Sequence, residues 1–348
     1  MEQTIDYSEE EEQQIVDCFM ALNCGQIREF LERYELPKSG TKDVLRERVT
    51  TALDENNITY ADLLYCIDTV EPWGKQHIFL YSAPEGNLRT NWRNADWVRT
   101  RLEQFEIPHL LNEHCPLALP QQLTVSEISH TNSKLKIFAV EKREYWERIK
   151  DRDETDCTDD GDEIELRAYL HHVKRGLVIF EWDFVSNNAM LQISQLASGT
   201  NYKEVAERFQ QMIATWLNID QFSLLDFSSA ISRLHEAEEN GSPEARSHAI
   251  DYTSMGGSHL QARSPSAMDS TLGEEVIENA MANIRNEGVG HIGNFFWLPQ
   301  DVNPAHNNPL DKEVHINIVA SKNRIAFSTS NKEEHVRYVL SRVRTLSS

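Results

Sequence analysis

The chain has 348 residues, 40% hydrophobic and 26% charged, with 56 Asp and Glu against 34 Lys and Arg and a formal net charge of -22. That length suffices for two or three compact domains, and the composition excludes a disordered polypeptide. So acidic a chain repels nucleic acid on average, which excludes a global basic field and confines any DNA contact to a local patch.

Residues 1–12 include "YSEEEE", an acidic opening expected to fray or to solvate the surface. A helical pattern runs from Ile15 to about Val70. Ile27, Phe30, Leu31 and Tyr34 share one stripe of a short helix that Leu36-Pro37 ends, because the residue before proline avoids helical backbone. Gly40 suits a left-handed turn and Thr41 suits an N-cap, and a second helix then places Leu45, Val49, Ala52 and Leu53 on one side. A further helix is expected over Tyr60–Asp68.

After Trp73 the period changes. "QHIFLYSA" (76–83) reads as a strand and Asn94–Phe105 as a helix, followed by strands at 123–129 and 134–140. The acidic stretch 152–163 precedes three strand-like runs, with Gly176 and Asn187-Asn188 placed as hairpin turns. Helices are expected at 202–217 and 223–235, then a loop at 238–247, a hairpin at 247–264 and a helix at 272–286. Strands at 293–298, 314–320 and 324–328 lead to a closing helix at 332–346. The expected class is α+β, a small N-terminal helical domain before a body built on an antiparallel sheet. The division is an acidic segment and lead-in helix (1–24), a helical domain (25–72), an α+β domain (73–237), a linker (238–247) and a C-terminal α+β domain (248–348).

The segment 26–53, "QIREFLERYELPKSGTKDVLRERVTTAL", resembles a SAP motif through Leu31, Leu36, Pro37, Ser39, Gly40, Thr41, Lys42, Leu45 and Arg48. The resemblance implies a helix-extension-helix module that binds double-stranded DNA, often A/T-rich or distorted. The physics points the same way: a helix N-terminus offers free N–H groups and partial positive charge to a phosphate, and Lys38, Lys42 and Arg46 gather at that end. Lys38, Ser39, Gly40, Thr41, Lys42, Arg46 and Arg48 are therefore the candidate DNA-binding residues. A helical hairpin with merely solvating lysines is the competing interpretation. In element order alone the chain is also similar to the centromere protein N family, which implies a non-catalytic DNA- or chromatin-binding role. That family's helical domain is not a SAP motif, and no residue is carried over.

Arg89, Arg93, Arg99 and Arg101 alternate with Trp92 and Trp97, a second candidate DNA surface through Arg89, Trp92, Arg93, Arg99 and Arg101 if the rings are exposed. Buried tryptophans with ion-paired arginines is the alternative. Asp156, Thr158, Asp160 and Gly161 match half a calcium loop, but Arg167 occupies the position of its bidentate Glu. His171 and His172 fall on opposite strand faces and cannot share a metal. The glycine-rich 288–294 reads as a helix C-cap and turn rather than a phosphate loop. Glu181 and Asp183 share a strand face, the candidate carboxylate pair for a magnesium nuclease. No metal or cofactor is expected. The five scattered cysteines (Cys18, Cys24, Cys66, Cys115, Cys157) read as reduced thiols.

With no membrane-length apolar run and no signal-peptide pattern, an intracellular protein without a membrane partner is expected, nucleus and cytoplasm both open. The leading expectation is a non-enzymatic DNA-binding adaptor for chromatin or genome maintenance, whose body binds a protein partner or self-assembles. The alternatives are a DNA-processing or genome-defence enzyme tethered by the module, and a protein-binding scaffold.

Overall fold

Three of the first four helices open with a side-chain cap that the sequence spells out. α1 (Glu9–Ala21), α2 (Cys24–Arg33) and α4 (Tyr60–Val70) carry capping boxes from Ser8 and Glu11, Asn23 and Gln26, and Thr59 and Asp62. α3 (Lys42–Asp54) has Thr41 at its N-cap but no capping hydrogen bond from that side chain. The computed structural model describes residues 7–197, 200–254, 257–266, 268–271, 276, 279–280 and 288–348. Among the described residues no helix is long and apolar enough to cross a membrane.

Of the acidic opening, Glu9–Glu12 are helical and exposed or partly exposed rather than frayed. Glu9, Glu10, Glu11 and Glu12 occupy the first turn of α1, where four negative charges favour the positive end of the helix dipole. Ile15, Phe19 and Met20 of α1 bury with Ile27, Phe30 and Leu31 of α2, Leu45 and Val49 of α3, and Leu63 and Leu64 of α4. Four helices thus share the core that was expected to begin at residue 25, because α1 supplies one wall of it.

A 3-10 turn at Glu71–Trp73 leads into one antiparallel sheet of eleven strands. Its strands are β1 (Gln76–Ser82), β2 (Thr124–His130), β3 (Lys134–Arg148), β6 (Tyr169–Asp183), β7 (Asn188–Ser194), β8 (Ser223–Leu224), β9 (Ala245–Ser254), β10 (His259–Arg263), β11 (Gly288–Trp297), β12 (Val314–Val319) and β13 (Arg324–Phe327). The order is β10-β9-β11-β12-β13-β1-β7-β6-β3-β2, with β8 added beside β1. Strands β4 (Glu154–Cys157) and β5 (Glu163–Leu166) form a separate hairpin from the acidic stretch.

Alternation along β1 shows how the layers form. Phe79 and Tyr81 face one core with Trp92, Val98 and Leu102 of α5 (Asn87–Trp92) and α6 (Ala95–Gln104), and with Val205 and Phe209 of α7 (Tyr202–Ile213). Ile78 and Leu80 face the opposite core with Ile231 and Leu234 of α8 (Ser228–Glu239) and Val336, Val339 and Leu340 of α9 (Glu333–Ser347).

Three expectations need correction. The sheet crosses the proposed boundary at 238–247: β1 pairs with β7 on one side and β13 on the other. Residues 238–247 are not a linker, since α8 runs to Glu239, Arg342 holds the Glu244 carboxylate at 2.7 and 2.6 Å, and β9 begins at the fully buried Ala245. Gly176 makes no turn; β6 runs straight through it, and Gly176 pairs with Glu141 of β3. Its missing side chain makes room for the Arg143 guanidinium, which would overlap any Cβ there. Residues 288–294 lie in β11 rather than a helix cap, with Gly290 leaving space for the Ile231 side chain, where a Cβ would stand 2.8 Å from Cγ2. The helix expected at 272–286 falls almost entirely outside the described residues.

The helical unit is fastened to the sheet by a buried ion pair. Arg175 of β6 is 5% exposed and Asp68 of α4 is 8% exposed. Arg175 Nη2 donates to Asp68 Oδ2 at 3.0 Å, Nη1 donates to Oδ1, and Nε donates to the Ala118 carbonyl at 3.1 Å. His114 adds a bridge, with Nε2 3.4 Å from Asp68 and Nδ1 3.2 Å from Glu127 of β2.

Candidate nucleic-acid interface

The bend between α2 and α3 starts where Glu35, at φ 56, turns the chain out of the helix and the Leu36 amide closes on the Leu31 carbonyl at 2.8 Å. It ends at Gly40, whose φ is 127; a Cβ there would stand 2.9 Å from Val44 Cγ1 as well as straining the backbone. Two arginines brace the bend. Arg28 Nη2 donates to the Gly40 carbonyl at 3.2 Å, and Arg48 Nη1 donates to the Pro37 carbonyl at 3.0 Å and to the Ser39 carbonyl. Three carbonyls of the bend are thereby satisfied. The first turn of α3 has no side-chain cap, and Lys38, Ser39, Gly40, Thr41 and Lys42 are all exposed.

The candidate cations divide into two groups. Lys38 and Lys42 stay at the surface, although Lys38 pairs with Glu32 and Lys42 Nζ donates to the Leu22 carbonyl at 3.2 Å. Arg46 and Arg48 are half-buried and already engaged, Arg46 with Asp17 at 2.7 Å and Arg48 with the bend itself. Arg48 is therefore a brace rather than a free phosphate contact, and Arg28 does the same work. Arg28 carries no signal for this role in the sequence. Asp43, in the first turn of α3, sets one negative charge beside the exposed amides.

Arg89, Trp92, Arg93, Arg99 and Arg101 do not form a stacking surface. Trp92 is fully buried, packed edge-on to Trp97 with ring centroids 5.5 Å apart. Arg89 donates to the carbonyls of Phe184 at 2.7 Å and Val185 at 3.1 Å, and Arg101 donates to that of Thr215 at 2.9 Å. Only Arg93 and Arg99 of this group remain exposed, and without a ring beside them they offer charge alone.

Glu181 and Asp183 do not make a metal site either. Glu181 is 5% exposed, held by Arg337 at 2.7 and 2.9 Å, Lys134 at 3.1 Å and Lys136 at 3.3 Å. Burial alone would raise its pKa, but the Arg337 hydrogen bonds and the three cations hold it down at about 2. Asp183 accepts from the Val185 and Ser186 amides at 2.7 and 2.9 Å, a local turn between β6 and β7. Among the described residues no group of three or more His, Cys, Asp and Glu is placed to hold a metal ion. His171 stacks on Trp146 and His172 on Tyr145, on opposite faces of the β3–β6 ribbon.

No protein-family model and no curated protein matches this chain.

Proposed function

We propose that the chain is a non-enzymatic DNA-binding adaptor whose α2–bend–α3 module contacts duplex phosphates, while the sheet body serves a protein partner or self-association. One observation carries the reading. Arg28 and Arg48 take up the carbonyls of the bend, and the start of α3, uncapped by any side chain, is exposed together with Lys38 and Lys42. Such an edge attracts an oxyanion by N–H donation and by dipole together. The contact is small and crosses a repulsive field. The Lys38–Glu32 pair is exposed and the Arg46–Asp17 pair partly so, each worth about 0–1 kcal/mol, so a phosphate can displace their carboxylates. Two or three phosphates at this edge support binding in the micromolar range or weaker, and steeply salt-dependent.

The test is electrophoretic retention of a short A/T-rich duplex at low salt. The native chain should retard it and the double variant Lys38→Gln, Lys42→Gln should not, with circular dichroism verifying that the variant is folded. Equal retardation by both, or none by the native chain, removes the module from the account.

A further inference from the structure

Strand β1 changes neighbours halfway along. It pairs with β13 through Gln76–Ile78 and with β8 through Tyr81–Ser82, so the sheet opens at Phe79. Residues of α7 and of β1 line a cleft of about 890 Å³ at this opening. Phe79, Ile219 and Phe222 supply apolar wall, and Lys203, Lys322 and Arg324 supply charge. Glu207 and Asp220 also line the cleft, and Glu207 is partly spent on Lys203 at 3.6 Å. Cations therefore outnumber carboxylates here, the reverse of the chain as a whole.

Arg324 is the informative residue. Most half-buried arginines of this body hold a carboxylate: Arg337 holds Glu181, Arg342 holds Glu244 and Arg246 holds Glu313. Arg324 is half-buried, yet its side chain has no hydrogen bond or ion pair among the described residues, and its Nε is sealed from solvent. It is held in place by packing instead. Its Cζ lies 4.7 Å from the centroid of the Tyr202 ring, whose hydroxyl accepts from the Leu196 amide at 3.0 Å, and the His77 ring lies tilted against the same ring with centroids 3.7 Å apart. Burial lowers the Arg324 pKa, and burial with the Arg324 charge pushes His77 down to about 3, so His77 is neutral and does not compete for an anion. A guanidinium oriented by an aromatic face, its two Nη groups without a partner and a second cation two residues away at Lys322, suits bidentate recognition of phosphate through the Nη pair.

We propose that this cleft binds a mononucleotide-sized organic phosphate, with Arg324 and Lys322 on the phosphate and the flat apolar part against Phe79, Ile219 and Phe222. The site lies on the sheet body and involves no residue of the α2–α3 bend.

Calorimetric titration of the full chain with AMP, adenosine and inorganic pyrophosphate tests it. AMP should bind with a Kd below about 1 mM, adenosine should bind far more weakly, and pyrophosphate should compete with AMP. Arg324→Gln should weaken AMP by about tenfold or more, and Lys322→Gln, at an exposed position that folding tolerates, by several-fold. The proposal is overturned if neither AMP nor pyrophosphate binds, if adenosine matches AMP, or if Lys322→Gln and Arg324→Gln both bind AMP as the native chain does.

Discussion

Replacing Glu71 by glutamine isolates the cost of one charge at the joint between the helices and the sheet. Glu71 is partly accessible as a residue, but its Oε2 is closed off from solvent and has no hydrogen-bond partner. Burial therefore dominates and raises its pKa from 4.5 to about 7, Arg175 only partly opposing it and Asp68 adding to it. In the folded chain the proton stays on up to about pH 7, whereas in the unfolded chain it leaves near 4.5, so the unfolded state binds fewer protons across that window. Stability must then fall as pH rises through the window and level off above it. At 1.36 kcal/mol per unit the full penalty is about 3 kcal/mol, of which about 2 kcal/mol develops between about pH 5.5 and pH 8. Glutamine resembles the protonated acid, so Glu71→Gln should be more stabilising at the higher pH than at the lower by about 2 kcal/mol. Comparing the two pH values cancels any mismatch in packing. Urea unfolding of both proteins at both pH values supplies the numbers. A variant effect that is the same at the two pH values, or larger at the lower, refutes the argument from burial.

Arg175→Met leaves Asp68 buried without its cation and two carbonyls without a donor, so urea unfolding should register a loss of about 3–5 kcal/mol; adding Asp68→Asn should restore part of it. Gly176→Ala forces a methyl into the Arg143 guanidinium, which Glu141 and Ser194 hold in place, and should lower stability by about 1–3 kcal/mol in the same assay. Glu181, depressed from 4.5 to about 2, contributes stability that is complete above pH 4.5 and lost as pH falls toward 2, about 3 kcal/mol in all. Glu181→Gln should therefore be destabilised at neutral pH and show a flatter acid-unfolding profile than the native chain.

The parts of the fold carried by short-range signals were legible. The stripe of Ile27, Phe30 and Leu31 marks a helix, and the run 76–83 marks a strand, whose Ile78, Phe79, Leu80 and Tyr81 are buried on both faces. The α+β class followed from that rhythm. What escaped was set by partners distant in sequence. Gly176 looks like a turn until Arg143 is seen lying across it from the neighbouring strand. Glu181 looks like half of a metal site until Arg337, 156 residues away, closes on it. The Arg-Trp alternation at 89–101 suggests stacking, yet it serves the core, because Trp92 points inward and Arg89 and Arg101 satisfy loop carbonyls. Within the candidate interface the exposed turn was legible from Ser39-Gly40-Thr41-Lys42. The bracing by Arg28 and Arg48 was not, since nothing in the spacing tells a guanidinium that grips a carbonyl from one that waits for a phosphate.

The most direct measurement follows the backbone amides of the chain by nuclear magnetic resonance while a short duplex is added at low salt. If an anion settles at the start of α3, the signals of Gly40, Thr41, Lys42, Asp43 and Val44 move first and furthest, and salt reverses the movement. Were those five to stay still while amides elsewhere shift, DNA would be meeting a different surface and the bend would be only a connection between two helices.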